Sequence, residues 1–304
     1  MDLIAESLDA PLIAGPPHVR LRLSNRPENV MLVREVLTGV AEAVGVDAND
    51  LNDIRTAVTE ACNNVVVHAY EGEEGPLEIE VYLSSSAVEV LVRDHGTGIR
   101  PHVGREEEGS SGIGLLVIQA LSQRVAFTGA NGGPARAGWD GTELRMTFST
   151  PGLRPLDVIR AGGSKDVESA ERLGAEPPPL ASTSVIEIAP SGLARTVLPR
   201  LLCALAARAQ FSTDRISDAQ LIADALAMHA FQSIGASHLT LAVRVEPRDL
   251  ELRVAPLRSG RARVLIVDSA VEGLGPVIER LTDDHRIDPM GSSEMLALRM
   301  IDRR

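Results

Sequence analysis

The stretch TAVTEACNNVVVHAY, residues 56–70, decides how this chain is read. Val58, Ala61 and Val65 continue the spacing begun by Leu51 and Ile54, which draws one apolar stripe along a helix. Glu60, Asn64 and His68 recur at every fourth position and form a polar stripe beside the apolar one, not opposite it. Such a stripe borders a core without joining it. The Asn64 amide oxygen suits a Mg²⁺ that arrives with a triphosphate, needs few protein ligands and keeps several waters. Glu60, one turn earlier, can orient or deprotonate a nucleophile. Alone, a polar stripe is more often a solvated helix face, so its meaning depends on its surroundings.

Upstream, HVRLRLS (residues 18–24) alternates as a strand does, and Pro27 and Glu28 open a helical pattern carrying Val30, Val33, Val36, Leu37, Val40 and Val44 on one face. Asp47 or Asn49 is placed to cap the helix that contains the decisive stretch. Downstream, Tyr70 precedes an acidic turn, EGEEGP, and residues 77–83 and 87–93 read as two strands joined at Ser84, Ser85 and Ser86. A glycine-punctuated loop over residues 96–114 leads into a third helix at residues 115–121, and residues 142–148 form a last strand. The expected order is β-α-α-β-β-loop-α-β.

Two further motifs sit on this frame. Val92-Arg93-Asp94-His95-Gly96-Thr97-Gly98-Ile99 is a strand ending in Asp-x-Gly-x-Gly. A buried carboxylate there can accept from an exocyclic amino group, and glycines let backbone approach a flat base. Gly109-Ser110-Ser111-Gly112-Ile113-Gly114 precedes the third helix, where backbone N–H groups and the helix N-terminus favour phosphate. It is neither a Walker A loop nor a dinucleotide fingerprint.

In this order, E-x-x-x-N on a helix, D-x-G-x-G after a strand, G-x-G before a helix, and Gly141-Thr142 opening a last strand resemble the N, G1, G2 and G3 boxes of the GHKL ATPases. That superfamily joins gyrase, heat-shock chaperones, histidine kinases and mismatch-repair ATPases, and the resemblance covers about the first 150 residues. It implies an α+β fold, a two-layer α/β sandwich of the GHKL (Bergerat) type with a mixed, largely antiparallel sheet and helices on one face. It further implies Glu60 as catalytic carboxylate, Asn64 as Mg²⁺ ligand and Asp94 as adenine reader supported by Thr142. Gly96, Gly98, Gly112 and Gly114 would shape the pocket and lid, and Arg105 would meet phosphate. ATP and Mg²⁺ are the implied cofactors.

TEACNNVVVHAY with its acidic turn, and the short span between the two glycine motifs, look most like the anti-sigma-factor serine kinases. That branch implies a switch that binds a sigma factor and phosphorylates a serine on an antagonist protein. None of the 7 histidines is followed by Glu, which disfavours a sensor histidine kinase, and no transducer signature of the gyrase or mismatch-repair kind is visible. The short lid is acidic at Glu106, Glu107 and Glu108, leaving Arg100 and Arg105 as its only cations.

A net charge of -12 and 2% aromatic content exclude a general nucleic-acid binder, which needs a basic face and stacking side chains. Cys62 and Cys203 alone allow no disulfide framework. The acidic N-terminus does not read as a signal peptide, and Arg200 and Arg208 interrupt the most apolar helical stretch. A cytoplasmic protein that contacts no membrane is expected.

Residues 151–180, with GLRPLD, AGGSKD and AEPPPLA, have linker composition around a short helix at residues 167–173. They separate a nucleotide-binding domain at residues 1–150 from a second domain at residues 181–304. The second half reads as a repeat of the first, against the alternative that any two α/β domains share such an element order: Val33, Val36, Leu37 and Val40 meet Leu198, Leu201, Leu202 and Leu205, and Leu51, Asp53 and Ala57 meet Ile216, Asp218 and Ile222. Strands at residues 239–245 and 250–254 follow, GLGPVIERL stands for GIGLLVIQAL, and MLALRMI for ELRMTF. The copy has lost the site, because Glu60, Asn64, Asp94 and Gly96 become Ala225, His229, Pro256 and Arg258. It is expected to dock on the first half as an intramolecular pseudo-dimer, in a family whose members are commonly homodimers. Two functions compete: a serine/threonine kinase acting with Mg-ATP on a partner, and a binding module in which ATP only sets a conformation that holds or releases one.

Overall fold

In a computed structural model, which describes residues 13, 15–96, 111–129, 141–155, 183–189, 191–234, 236 and 238–303, the alternation at residues 18–24 becomes strand β1 (Val19–Ser24). Val19, Leu21 and Leu23 are buried while the residues between them stay at the surface. Helix α1 (Pro27–Val44) begins with a proline, whose fixed φ suits the first helical position and whose missing N–H costs nothing there. Asp47 caps α2 (Ala48–Asn64): its Oδ1 accepts from the Asn49 N–H at 2.8 Å and the Asp50 N–H at 3.0 Å, so Asn49 lies inside the helix. Strands β2 (Pro76–Leu83) and β3 (Ala87–Asp94) are joined by a turn in which Ser84 Oγ accepts from the Ala87 N–H at 3.0 Å. Helix α3 (Ser111–Leu121), β4 (Arg124–Gly129) and β5 (Thr142–Ser149) complete this part of the chain.

The chain divides into two compact units, Met1–Leu37 with Val44–Pro155, and Thr38–Ala43 with Leu156–Arg304. In the first unit the strands lie in the order β1-β2-β3-β5-β4, and every neighbouring pair is antiparallel. The expected mixed sheet is thus realised as an antiparallel one. Helix α2 lies over β3 and β5 and against α3, burying Ile54, Ala57, Val58, Ala61 and Cys62. Alternation on these strands also places a belt of paired charges. Arg20 donates to Glu80 at 2.8 Å, Arg93 to Glu143 at 2.6 Å, and Arg145 to Glu89 at 2.5 Å, while the Tyr82 hydroxyl donates to Glu80 at 2.5 Å. Glu80 and Glu89 are only 6% and 3% exposed, so each needs its arginine. Burial pushes the Glu80 carboxyl up, but hydrogen bonds from Tyr82 and Arg20 and the charges of Arg20 and Arg93 outweigh it and hold the group below the usual range.

The second unit runs β6 (Ser184–Ile188), α4 (Ser191–Arg208), α5 (Thr213–Ser233), β7 (Leu239–Glu246), β8 (Asp249–Arg258) and α6 (Arg261–Asp268). A short β9 (Ala270–Val271) and β10 (Gly275–Pro276) follow, then α7 (Val277–Leu281), β11 (Asp284–Met290) and β12 (Ser293–Ile301). Its main strands lie in the order β6-β7-β8-β12-β11, which is the order of the first unit. The registers also match. Leu21, Ile79, Val92, Leu144 and Phe127 form a row across the first sheet, and Ile186, Leu241, Val254, Leu296 and Ile287 form the corresponding row across the second.

Several elements differ from the sequence reading. Strands β4 and β11 were not expected; both are edge strands, β4 half-buried and β11 largely exposed, where alternation is weak. Helix α3 starts at Ser111, ahead of the expected start at residue 115. GLGPVIERL yields only the five-residue α7 behind a β-turn, because Pro276 lacks an N–H and disfavours helix at the residue before it. Helix α6 occupies the place of the first unit's glycine-rich loop. The helix expected at residues 167–173, and the linker beyond Pro155, lie outside the described residues.

Candidate functional site

Helix α2 changes pitch immediately after Asn64. Residues Val65–Ala69 form one π-helical turn, a wider winding often found beside functional sites. The polar stripe therefore stops at Asn64: Glu60 and Asn64 stay half-buried, whereas His68 is carried to the exposed side with Val67. The spacing that grouped His68 with the other two assumed an unbroken α-helix.

Helix α3 closes on the remaining pair through Gly114. A Cβ built at Gly114 would lie 3.1 Å from Glu60 Oε2, 3.7 Å from Asn64 Oδ1 and 3.9 Å from Asn64 Nδ2. The carboxylate and the amide thus converge on one point beside the first turns of α3, whose N–H groups and dipole favour an anion. Gly112 belongs to the first turn of the same helix.

Asp94 ends β3 and is 0% exposed. Its Oδ1 accepts from the Gly96 N–H at 3.0 Å, and its Oδ2 is buried with no hydrogen-bond partner among the described residues. Burial drives its pKa above the ordinary aspartate value, against the opposing pull of bonds from the Gly96 N–H and from the backbone and hydroxyl of Thr142. A buried acceptor without a donor costs about 1–3 kcal/mol, so a ligand donor that meets Oδ2 gains correspondingly.

The two glycines flanking Asp94 are fixed by close approach. A Cβ at Gly96 would stand 1.9 Å from the Ala69 carbonyl oxygen, and one at Gly141, where φ is +104°, would stand 2.2 Å from the Asp94 carbonyl oxygen. Neither obstacle is a flexible side chain end. Backbone therefore meets backbone on both sides of Asp94, as a slot for a flat ring requires.

Of the residues singled out in the sequence, Glu60, Asn64 and Gly114 gather at one place and Asp94, Gly96 and Thr142 at another. Gly98 and Arg105 lie outside the described residues, as does the loop over residues 97–110. Sequence reasoning missed Tyr70 at this site. Its hydroxyl accepts from the His95 N–H at 2.8 Å and donates to the Pro76 carbonyl at 2.5 Å. An aromatic with a polar tip, placed between a polar stripe and a glycine-rich turn, was the available signal.

The residues present fit a magnesium–nucleotide complex. Asp94 supplies an acceptor lacking a donor, Gly114 lets α3 approach Glu60 and Asn64 closely, and those two residues offer hard oxygens. Among the described residues no group of three or more His, Cys, Asp or Glu could hold a metal. Among the described residues no helix is long and apolar enough to cross a membrane.

Comparison with known proteins agrees with this geometry. The profile of the histidine kinase-like ATPase domain matches residues 23–148. The chain is 31% identical over 122 residues to serine-protein kinase RsbW of Halalkalibacterium halodurans, covering 36% of this chain and 75% of that protein. It is 33% identical over 120 residues to serine-protein kinase RsbW of Listeria innocua, covering 35% and 76%, and 28% identical over 129 residues to that of Bacillus pumilus, covering 38% and 80%. The chain belongs to the histidine kinase-like (GHKL) ATPase superfamily, in the branch of the RsbW serine-protein kinases.

Proposed function

We propose that the first unit is an anti-sigma-type serine/threonine kinase that binds Mg-ATP and phosphorylates an antagonist protein, while the second unit is a copy without a nucleotide site. The observation that carries the nucleotide reading is the unpartnered, fully buried Oδ2 of Asp94. The exocyclic amino group of adenine is the donor such an oxygen lacks, and Gly96 and Gly141 let the backbone close tightly around the Asp94 peptide that presents it.

At the other end, Asn64 would offer its amide oxygen to a magnesium ion, which would supply neutralisation of charge on the phosphate oxygens. Glu60 accepts the proton of the incoming serine hydroxyl as its oxygen attacks the γ-phosphorus. The bond from that phosphorus to the bridging oxygen breaks, and ADP leaves with the electron pair. Helix α3 offers its N-terminal N–H groups to the phosphates, and Gly114 holds that helix against Glu60 and Asn64.

The second unit repeats the strand order and register of the first, which supports duplication. Ala225, 6% exposed, stands at the position of Glu60 and has no proton-accepting group. Arg258, at the position of Gly96, donates to the Gln232 carbonyl at 2.5 Å. A phosphotransfer assay tests the whole reading. Full-length protein is incubated with γ-labelled Mg-ATP and serine-bearing candidate antagonist proteins encoded nearby. Label should pass from wild type to a partner serine and fall about 10²–10⁴-fold in Glu60→Ala, whose ATP affinity should be retained. Equal turnover in the mutant would remove Glu60 as the base, and ATP binding by wild type without any transfer would reject the kinase reading in favour of a binding module.

A further inference from the structure

Tyr70 ties the end of α2 to the strand end carrying Asp94. Its hydroxyl is a junction that accepts from the His95 N–H at 2.8 Å and donates to the Pro76 carbonyl at 2.5 Å. Those partners belong to neighbouring strands, since Pro76 opens β2 and His95 follows the last residue of β3. The ring lies between two glycines. A Cβ at Gly75 would stand 2.2 Å from it and one at Gly96 would stand 3.1 Å away, with the Ala69 carbonyl oxygen nearer still at 1.9 Å, so the ring packs against both glycines.

The anchor on the other side is also built. Asn25 is buried and grips the acidic turn: its Oδ1 accepts from the Gly75 N–H at 2.9 Å, its Nδ2 donates to the Glu73 carbonyl at 3.1 Å, and its own N–H donates to the Gly75 carbonyl at 2.9 Å. The Glu73 N–H in turn donates to the Tyr70 carbonyl at 2.8 Å. Tyr70 is thus held from behind by β1 and the turn, while its hydroxyl holds the peptide that follows Asp94. Partial burial raises the phenol pKa, so the hydroxyl keeps the proton it donates to Pro76.

Resting on the reading of this unit as an ATP site, we propose that Tyr70 is a positioning residue for nucleotide recognition. Through the His95 N–H it fixes the Asp94–His95 peptide, and with it the direction in which the buried Asp94 carboxylate presents its free oxygen. It touches no nucleotide atom. The π-helical turn is the device that allows this, because its extra residue brings the Ala69 carbonyl and the Tyr70 ring together against Gly96.

The test compares full-length wild type, Tyr70→Phe and Gly75→Ala. Phenylalanine keeps the ring and removes the hydroxyl, leaving the His95 N–H and the Pro76 carbonyl to find other partners. Calorimetry should show ATP affinity falling about tenfold, with faster hydrogen exchange at the His95 amide in the nucleotide-free protein and little change in its melting temperature. Where phosphotransfer is measured, KM for ATP should rise while kcat stays near wild type. Gly75→Ala pushes the ring from behind and should give the same loss without altering Tyr70, so the proposal stands on a second variant if Tyr70→Phe folds poorly. Wild-type affinity in both variants overturns the positioning role alone. Absence of ATP binding by wild type overturns the site reading, and this proposal with it.

Discussion

Replacing Asp94 by Asn should make the nucleotide-free protein more stable while nearly abolishing its affinity for ATP. The wild-type side chain is fully buried, one of its oxygens has no donor, and its pKa is raised chiefly by burial. An unsatisfied buried acceptor costs about 1–3 kcal/mol, and more when charged. Asparagine keeps an oxygen for the Gly96 N–H and carries no charge, so about 1 kcal/mol should be recovered, which for a domain of this size is about 2–4 °C in Tm. The same change sets an amide N–H₂ against the adenine amino group. Loss of a charge-assisted hydrogen bond, about 1.5–3 kcal/mol, plus the donor–donor clash should weaken ATP binding by at least about 10²-fold. The sign of the pH dependence follows from the raised pKa. Between the unfolded and folded values the native state binds more protons, so wild-type stability declines as pH rises through that window. The advantage of Asp94→Asn should therefore be full above the raised folded value and vanish below the ordinary carboxyl range. Melting curves across this range, with ATP calorimetry, check both parts. A destabilised mutant that retains wild-type ATP affinity would refute the reasoning.

Three other outcomes follow from the packing. Gly141→Ala should lower stability by about 1–3 kcal/mol and also weaken ATP binding, because its Cβ would meet the Asp94 backbone at 2.2 Å; a melt and a titration check it. Arg145→Met should destabilise by about 3–5 kcal/mol by stranding the buried Glu89, and adding Glu89→Leu should recover most of the loss in urea unfolding. Cys62 is fully buried and its thiol is pushed up to about 12 by burial, so a thiol reagent should label it only at the rate of opening of the fold.

The sequence showed clearly those parts of this protein whose physics is local. The apolar stripe of α2, its cap at Asp47 and the paired strands around Ser84 each follow from residues within one or two turns of each other. The site residues were visible for the same reason, since Asp94, Gly96 and the α2 stripe are defined by short spacings. What escaped depends on tertiary context. Strands β4 and β11 are specified by the neighbour they pair with more than by their own alternation. The π-helical turn at Val65–Ala69 breaks a periodicity that its own residues continue, and it removed His68 from the stripe. Tyr70 acquires its role only because Gly75 and Gly96, far apart in sequence, pack against the same ring.

One site per chain, in the first unit, is the central claim, and calorimetric titration of ATP into the full-length protein tests it most directly. With Mg²⁺ present the account predicts saturable binding at one nucleotide per chain, weakened by a chelator and by Asp94→Asn, because Ala225, Pro256 and Arg258 replace the needed groups in the second unit. Absence of binding, or two equivalent nucleotides per chain, would contradict it.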